Sequence, residues 1–154
     1  DLLFTYAIIS QPMDEKMIWP HKSLIWETAE PYLYMRTTTD NRLIVGGEDE
    51  EFYNPEKRDE LLRDKIKILE RKFKNLYPDI DFITEMAWCG TFSATADGLP
   101  YMGPYKKGDR KLFALGYGGN GITFSMIAAQ VLTNIILGKK DQRLTTFGFD
   151  RPSK

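Results

Sequence analysis

Residues 122–137 must form a helix that is apolar on nearly every side. Ile122, Phe124, Met126, Ile127, Ala128, Ala129, Val131, Leu132, Ile135, Ile136 and Leu137 leave no polar stripe wide enough to face water, and Gly138 is a natural C-cap. The chain has 154 residues, about one domain. The small sheet and single further helix that its other segments predict could hardly enclose such a helix. The run falls short of the ~18–20 apolar residues of a membrane span. Its surplus face is therefore expected to pack against chain lying outside this sequence or, in isolation, against another copy or a swapped element. The start Asp1-Leu2-Leu3-Phe4-Thr5 lacks the basic residues of a secretory signal, and its missing initiator Met suggests a processed or truncated chain; the protein is expected to be cytoplasmic.

Upstream, residues 2–11 are rich in aromatic and β-branched types and stop at Pro12, the pattern of a buried strand inside a sheet. Residues 32–37 and 42–47 form a hairpin joined through Thr39-Asp40-Asn41. The acidic stretch Glu48-Asp49-Glu50-Glu51 leads to Asn54-Pro55-Glu56, a helix start with a cap, a proline at the first position and an acid near the positive end of the dipole. Leu62, Ile66, Leu69, Phe73 and Leu76 form one apolar stripe, and Pro78 marks its end. Lys57, Arg58, Arg63, Lys67, Arg71, Lys72 and Lys74 are interleaved with acids and read as a solvated face. Residues 80–92 predict another strand, Asp97-Gly98 a turn, and 111–115 a short buried strand. The fold class expected is α+β: a mixed, mainly antiparallel sheet with a covering helix, followed by a strand–loop–helix.

Charge and composition narrow the function. Lys and Arg number 21 against 22 Asp and Glu, so no net field recruits nucleic acid or an anionic membrane. One cysteine, Cys89, and one histidine, His21, give almost no means of building a Cys/His metal site or a nucleophile–histidine dyad.

Gly116-Tyr117-Gly118-Gly119-Asn120-Gly121 satisfies G-x-G-x-x-G between a strand and a helix. A dinucleotide fold needs a second parallel strand ending in an acid, and residues 139–154 are polar and turn-like. What remains is physical: backbone N–H groups converge at a helix N-terminus with no side chains in the way, fit for an anionic or carbonyl edge. A tight turn needed only for geometry would read the same.

The order Trp88-x-Gly90, Thr95-x-Asp97-Gly98-x-Pro100-x-x-Gly103, a short strand, Gly116-x-x-x-Asn120-Gly121-Ile122 and a closing apolar helix resembles the C-terminal half of the D-amino-acid oxidase and glycine oxidase family of FAD-dependent amine oxidases, with γ-glutamylputrescine-oxidase-type members most alike. The hairpin Pro31–Arg36 and Arg42–Gly47 is similar to the family's substrate-domain hairpin, and the likeness runs from about residue 4 to residue 138. The resemblance implies a substrate-domain portion in residues 1–110, a strand–loop–helix in 111–138 that completes an FAD-binding domain outside this chain, and a polar tail in 139–154. It implies noncovalent FAD, not retained by this chain alone, with Tyr117, Gly118, Gly119, Asn120, Gly121, Ile122 and Thr123 against the pyrimidine edge of the ring. Reduction places negative charge on that edge, which suits a helix N-terminus. The partners implied are a small-molecule amine and the N-terminal FAD-binding half.

Tyr32, Tyr34 and Arg36 share one strand face, which could hold a substrate's polar group or pack a core. Phe92 and Gly119 stand where glycine oxidase relatives carry arginines that clamp a carboxylate. Phe92 is thus counted with the substrate-binding residues while making a plain α-amino acid a poor substrate and a polyamine-like or N-substituted amine a better one. The flavin-linking cysteine of sarcosine oxidases would fall on Gly90, one residue from Cys89 and on the other strand face. The rival reading is a non-catalytic α+β module that docks through its apolar C-terminal helix.

Overall fold

The computed structural model describes residues 1–29 and 31–151. Two compact units are present, one of Leu3–Thr91 and one of Phe92–Lys154 with Asp1–Leu2.

The first unit is built on a five-stranded sheet with β1 (Leu2–Ser10), β2 (Ile25–Trp26), β3 (Leu33–Thr37), β4 (Leu43–Glu51) and β5 (Thr84–Ser93) in the order β2-β3-β4-β1-β5. The pairs β1–β4, β2–β3 and β3–β4 are antiparallel. β1 lies inside the sheet, as its unbroken apolar run predicts. Helix α1 (Pro55–Leu76) begins where the sequence places it, with the Asn54 side chain accepting from the Lys57 N–H at 2.7 Å. Its stripe covers one sheet face: Leu69 and Phe73 are fully buried against Phe4, Tyr6, Ile8, Leu33, Met35, Leu43 and Val45. Alternation along the strands then sends Thr5, Tyr34, Ile44 and Gly46 to the opposite face.

The sequence reading is corrected at two places here. The acidic stretch 48–51 is not a connection: β4 continues through it to Glu51, bent by an irregularity that shifts its register with β1 between Phe4 and Tyr6, with positive φ at Gly47 and Glu48. Acids complete a strand here because helix lysines neutralise them. Lys65 Nζ lies 2.7 Å from Glu50 Oε1 and 3.5 Å from Glu48 Oε2, and Lys72 pairs with Glu48 as well. Lys72 is therefore no member of a solvated face, and Lys65 and Glu48 are buried. Lys67, with 76% of its side chain exposed, does sit in solvent.

In the second unit β6 (Tyr101–Pro104) pairs antiparallel with β7 (Leu112–Leu115), and α2 (Gly121–Ile136) packs on them through Ala128 and Val131 around the fully buried Met102. Gly138 takes the left-handed φ of +68° just past the helix, as its C-cap reading requires. Part of the apolar surface expected to seek cover is open: Ile122 is 89% exposed, and Met126, Ile136 and Leu137 are exposed as well.

Residues 139–151 are more ordered than a polar, turn-like tail. A short helix, α3 (Leu144–Phe147), adds Leu144 and Phe147 to the same core. Arg151 donates to the carbonyls of Leu99 (2.8 Å) and Pro100 (2.5 Å) and to Asp97 Oδ1 (2.9 Å), with its guanidinium 3.7 Å from the Tyr101 ring centre. Arg151→Ala strips those carbonyls of a charged donor and is expected to cost about 2 kcal/mol, read by denaturant unfolding.

Asp141 ties α2 to α3, accepting from Asn134 at 2.9 Å and from Arg143. The Arg143 and Asn134 hydrogen bonds hold its carboxyl far below its ordinary 3.8. A depressed carboxylate contributes stability that is complete above the ordinary value and lost as pH falls through the folded one. Unfolding of this unit should therefore steepen below about pH 4, and Asp141→Asn should flatten that acid limb.

Candidate functional site

Two features carry chemistry, one in each unit. The first is the sheet face opposite α1. Trp26 pairs with Tyr34 across β2–β3, and Tyr34 with Gly46 across β3–β4. A methyl group at Gly46 would run into the Tyr34 ring, so the glycine is what lets that ring lie flat on the sheet. The Tyr32 ring centre is 6.2 Å from that of Trp26 and 6.1 Å from that of Tyr34. These rings form an aromatic strip that α1 does not touch; the core is made by Leu33 and Met35 between them. Ala87 and Cys89 pack toward α1, so Met86 and Trp88, both exposed, share the strip's side of β5.

Polar groups border the strip. Burial, and after it the charge of Asp49, push the Tyr32 and Tyr34 phenols above their usual 10.0. Burial also pushes the Asp49 carboxyl up, against the lowering pull of the Thr5 hydroxyl and of Lys65. Asp49 Oδ1 is buried with no hydrogen-bond donor among the described residues. Arg36, two residues beyond Tyr34, is exposed. The sequence reading of Tyr32, Tyr34 and Arg36 as one face agrees with the strand geometry, but Asp49 was missed. Strand alternation could not reach it, because the backbone irregularity at Gly47 and Glu48 breaks the register.

The second feature is the glycine loop. Gly116 turns with φ +77°, and a Cβ there would lie 2.7 Å from Thr95 Cγ2, so the Thr95–Asp97 segment requires a glycine beside it. Gly118 also has a positive φ, +54°, and its N–H donates to the Ser93 carbonyl at 2.9 Å. The first backbone bond of α2 runs from the Phe124 N–H to the Asn120 carbonyl at 3.0 Å, leaving the N–H groups of Gly121, Ile122 and Thr123 ahead of it. No side chain caps this end. A Cβ at Gly118 or Gly121 would meet nothing within 4 Å. The loop thus offers free donors, a positive dipole end and open space, which fits the electron-rich edge of a flat ring. Phe92, next to the Ser93 anchor on β5, is half-buried.

Cys89 faces α1, on the side of the sheet away from the aromatic strip, and its Sγ lies 3.4 Å from Asp59 Oδ1. Burial and that carboxylate push the thiol up, so it is held as the neutral, unreactive form. His21 sits in a short 3-10 turn of Pro20–Lys22. No helix among the described residues is long and apolar enough to cross a membrane.

Comparison with known proteins assigns the chain to a family. The chain is 36% identical over 74 residues to a glycine oxidase of Bacillus licheniformis, an overlap of 47% of this chain and 20% of that protein. The crystal structure of glycine oxidase from Geobacillus kaustophilus shares the fold with a TM-score of 0.74 at 18% identity, over 99% of this chain and 40% of that one. That of an iminodiacetate oxidase from Chelativorans sp. BNC1 gives a TM-score of 0.75 at 16% identity, with the same coverage. The chain therefore spans 20% of the curated relative and 40% of each solved chain. The family model for FAD dependent oxidoreductases matches residues 3–135, and the chain belongs to that family.

Proposed function

We propose that this chain forms the substrate-facing part of an FAD-dependent amine oxidase, together with the strand–loop–helix that meets the flavin. The observation that carries the reading is the pairing of family membership with an open, donor-rich glycine loop. Tyr117 to Thr123 would hold the pyrimidine edge through backbone N–H groups, with Gly118 and Gly121 leaving room for the ring. When bound, FAD would supply the redox chemistry, the two-electron oxidation of the amine's C–N bond to an imine that water hydrolyses, with O₂ the proposed final acceptor. The chain's own residues bind and orient. Tyr32 and Tyr34 supply flat apolar area with a phenol kept neutral, and Arg36 a cation at the strip's end. Phe92 offers a substrate no charge. Cys89, turned toward α1, supports a noncovalent flavin. FAD is not expected to stay with this chain alone, since most of the cofactor would be held by the N-terminal half.

Where glycine oxidase relatives have carboxylate-clamping arginines this chain has Phe92 and Gly119, so the substrate expected is a primary or secondary amine with no required α-carboxylate. In the full-length protein, kcat/KM for peroxide release should be at least about tenfold higher, or about 1.4 kcal/mol, for polyamine derivatives than for glycine, sarcosine or D-amino acids. The reverse order would refute this choice of substrate. A full-length protein that purifies without flavin and cannot be reconstituted with it would refute the oxidase.

The non-catalytic alternative draws on the exposed side of α2, where Ile122, Met126 and Ile136 lie open. Family membership and the uncapped glycine loop favour the oxidase.

A further inference from the structure

The first three of the four consecutive acids that end β4 meet two different fates. Glu48 and Glu50 point toward α1, where Lys65 and Lys72 neutralise them. Asp49 points the other way, toward Thr5, Tyr32 and Tyr34, and its Oδ1 is buried without a donor. The cation acting on it, Lys65, is already bonded to both glutamates. Arg36 lies on the same sheet face but is not among the groups that act on Asp49. A half-buried carboxylate with no cation of its own among the described residues is costly, and the Thr5 hydroxyl and the shared Lys65 offset only part of the cost.

The surroundings indicate what would. The rings of Trp26, Tyr32 and Tyr34 stand edge-on and tilted to one another, and Trp26 is 64% exposed although Leu33 and Met35 of the neighbouring strand are buried. Aromatic faces attract cations through their quadrupole, most strongly alkylated ammonium groups that are weakly hydrated. A carboxylate beside such rings supplies the full negative charge, and the same pairing repels carboxylates. An amine substrate's apolar stem would lie along the rings.

We propose that Trp26, Tyr32, Tyr34 and Asp49 form a recognition site for an alkylammonium group, with Asp49 as the residue that selects a cationic substrate over an anionic one. The inference rests on the amine-oxidase reading for its role in turnover, but the binding itself requires no flavin. Burial disfavours the ionised form of Asp49 in the unliganded fold, so stability falls as pH rises above the ordinary carboxylate value of 3.8. The neutral Asp49→Asn variant should therefore melt no lower than the parent at pH 7. A purely structural carboxylate would behave in the opposite way.

The test is calorimetric titration of the full-length protein with tetramethylammonium chloride, at ionic strength held constant with sodium chloride. Saturable binding is expected, weakened at least tenfold by Asp49→Asn and by Trp26→Ala and little changed by Tyr34→Phe, which keeps the ring. Sodium acetate should not bind. Equal tetramethylammonium affinity in parent and folded Asp49→Asn, or tighter binding of acetate than of tetramethylammonium, would overturn the proposal. Because the titration is also run on apoprotein, absence of tetramethylammonium binding in a flavin-loaded protein sinks this site alone. Binding in a protein that never takes up flavin keeps the site and sinks the oxidase.

Discussion

Replacing Lys65 with alanine should destabilise the Leu3–Thr91 unit by about 3 kcal/mol, near the lower end of the range for breaking a buried ion pair. Lys65 is 6% exposed, and its ammonium lies 2.7 Å from Glu50 and 3.5 Å from Glu48. Without it Glu48, equally buried, keeps only Lys72, and Glu50 loses the partner that draws the end of β4 onto α1. The loss is expected in the protein's unfolding midpoint in urea. The double variant Lys65→Met with Glu48→Gln should recover much of it, because the uncompensated charge is removed with its partner. The clamp also bears on the candidate site. Glu48 and Glu50 are held to the helix side, so Asp49 between them is presented to the aromatic strip. Lys65→Ala should therefore weaken tetramethylammonium binding as well as stability, whereas an exposed control such as Lys67→Ala should change neither. A Lys65→Ala protein as stable as the parent would show that the ion pairs do not fix this end of β4.

The sequence made α1 legible because each of its signals is local: Asn54 as cap, Pro55 at the first turn, a stripe ending at Phe73 and Leu76, and Pro78 beyond. The closing helix was legible for the same reason, and its surplus apolar surface at Ile122 and Ile136 could be foreseen from the lack of a polar stripe. Less visible were features that depend on distant partners. β4 continues through Glu48–Glu51 because Lys65 and Lys72, far along the chain on α1, neutralise its acids, which no strand propensity records. β2, only Ile25–Trp26, is a strand by virtue of its pairing with Met35 and Tyr34. α3 and the Arg151 contacts are likewise tertiary, since Arg151 finds its acceptors more than fifty residues upstream.

The candidate site divides along the same line. The Tyr32–Tyr34–Arg36 face followed from a period of two, and the glycine loop from its place between strand and helix. Asp49 required the bend at Gly47 and Glu48 to be known first, because a regular strand would have given no reason to separate it from its acidic neighbours. Lys72 shows the opposite error: in a charge-mixed helix an ion pair to a buried acid looks the same as a solvated side chain.

The second large effect concerns the glycine loop. Gly116→Val combines a positive φ with a collision against Thr95, so it should fail at folding and reveal nothing about the cofactor. Gly121→Val is different. Gly121 opens α2, its φ is not positive, and a Cβ there meets nothing within 4 Å. The valine costs the fold little, yet it fills space that the flavin ring would need and obstructs the first N–H groups of the helix. In the full-length protein, flavin affinity should fall at least about a hundredfold, near 2.7 kcal/mol, with the melting of the apoprotein within a degree or two of the parent.

The flavin absorbance of purified full-length Gly121→Val, beside parent and Lys67→Ala prepared in the same way, tests the loop's role most directly. The expected result is flavin near stoichiometric in the parent and in Lys67→Ala, and a colourless, folded Gly121→Val protein that regains little flavin when FAD is added. A Gly121→Val protein holding flavin at the parent's stoichiometry and affinity would contradict it, leaving the loop a structural turn with the flavin bound elsewhere.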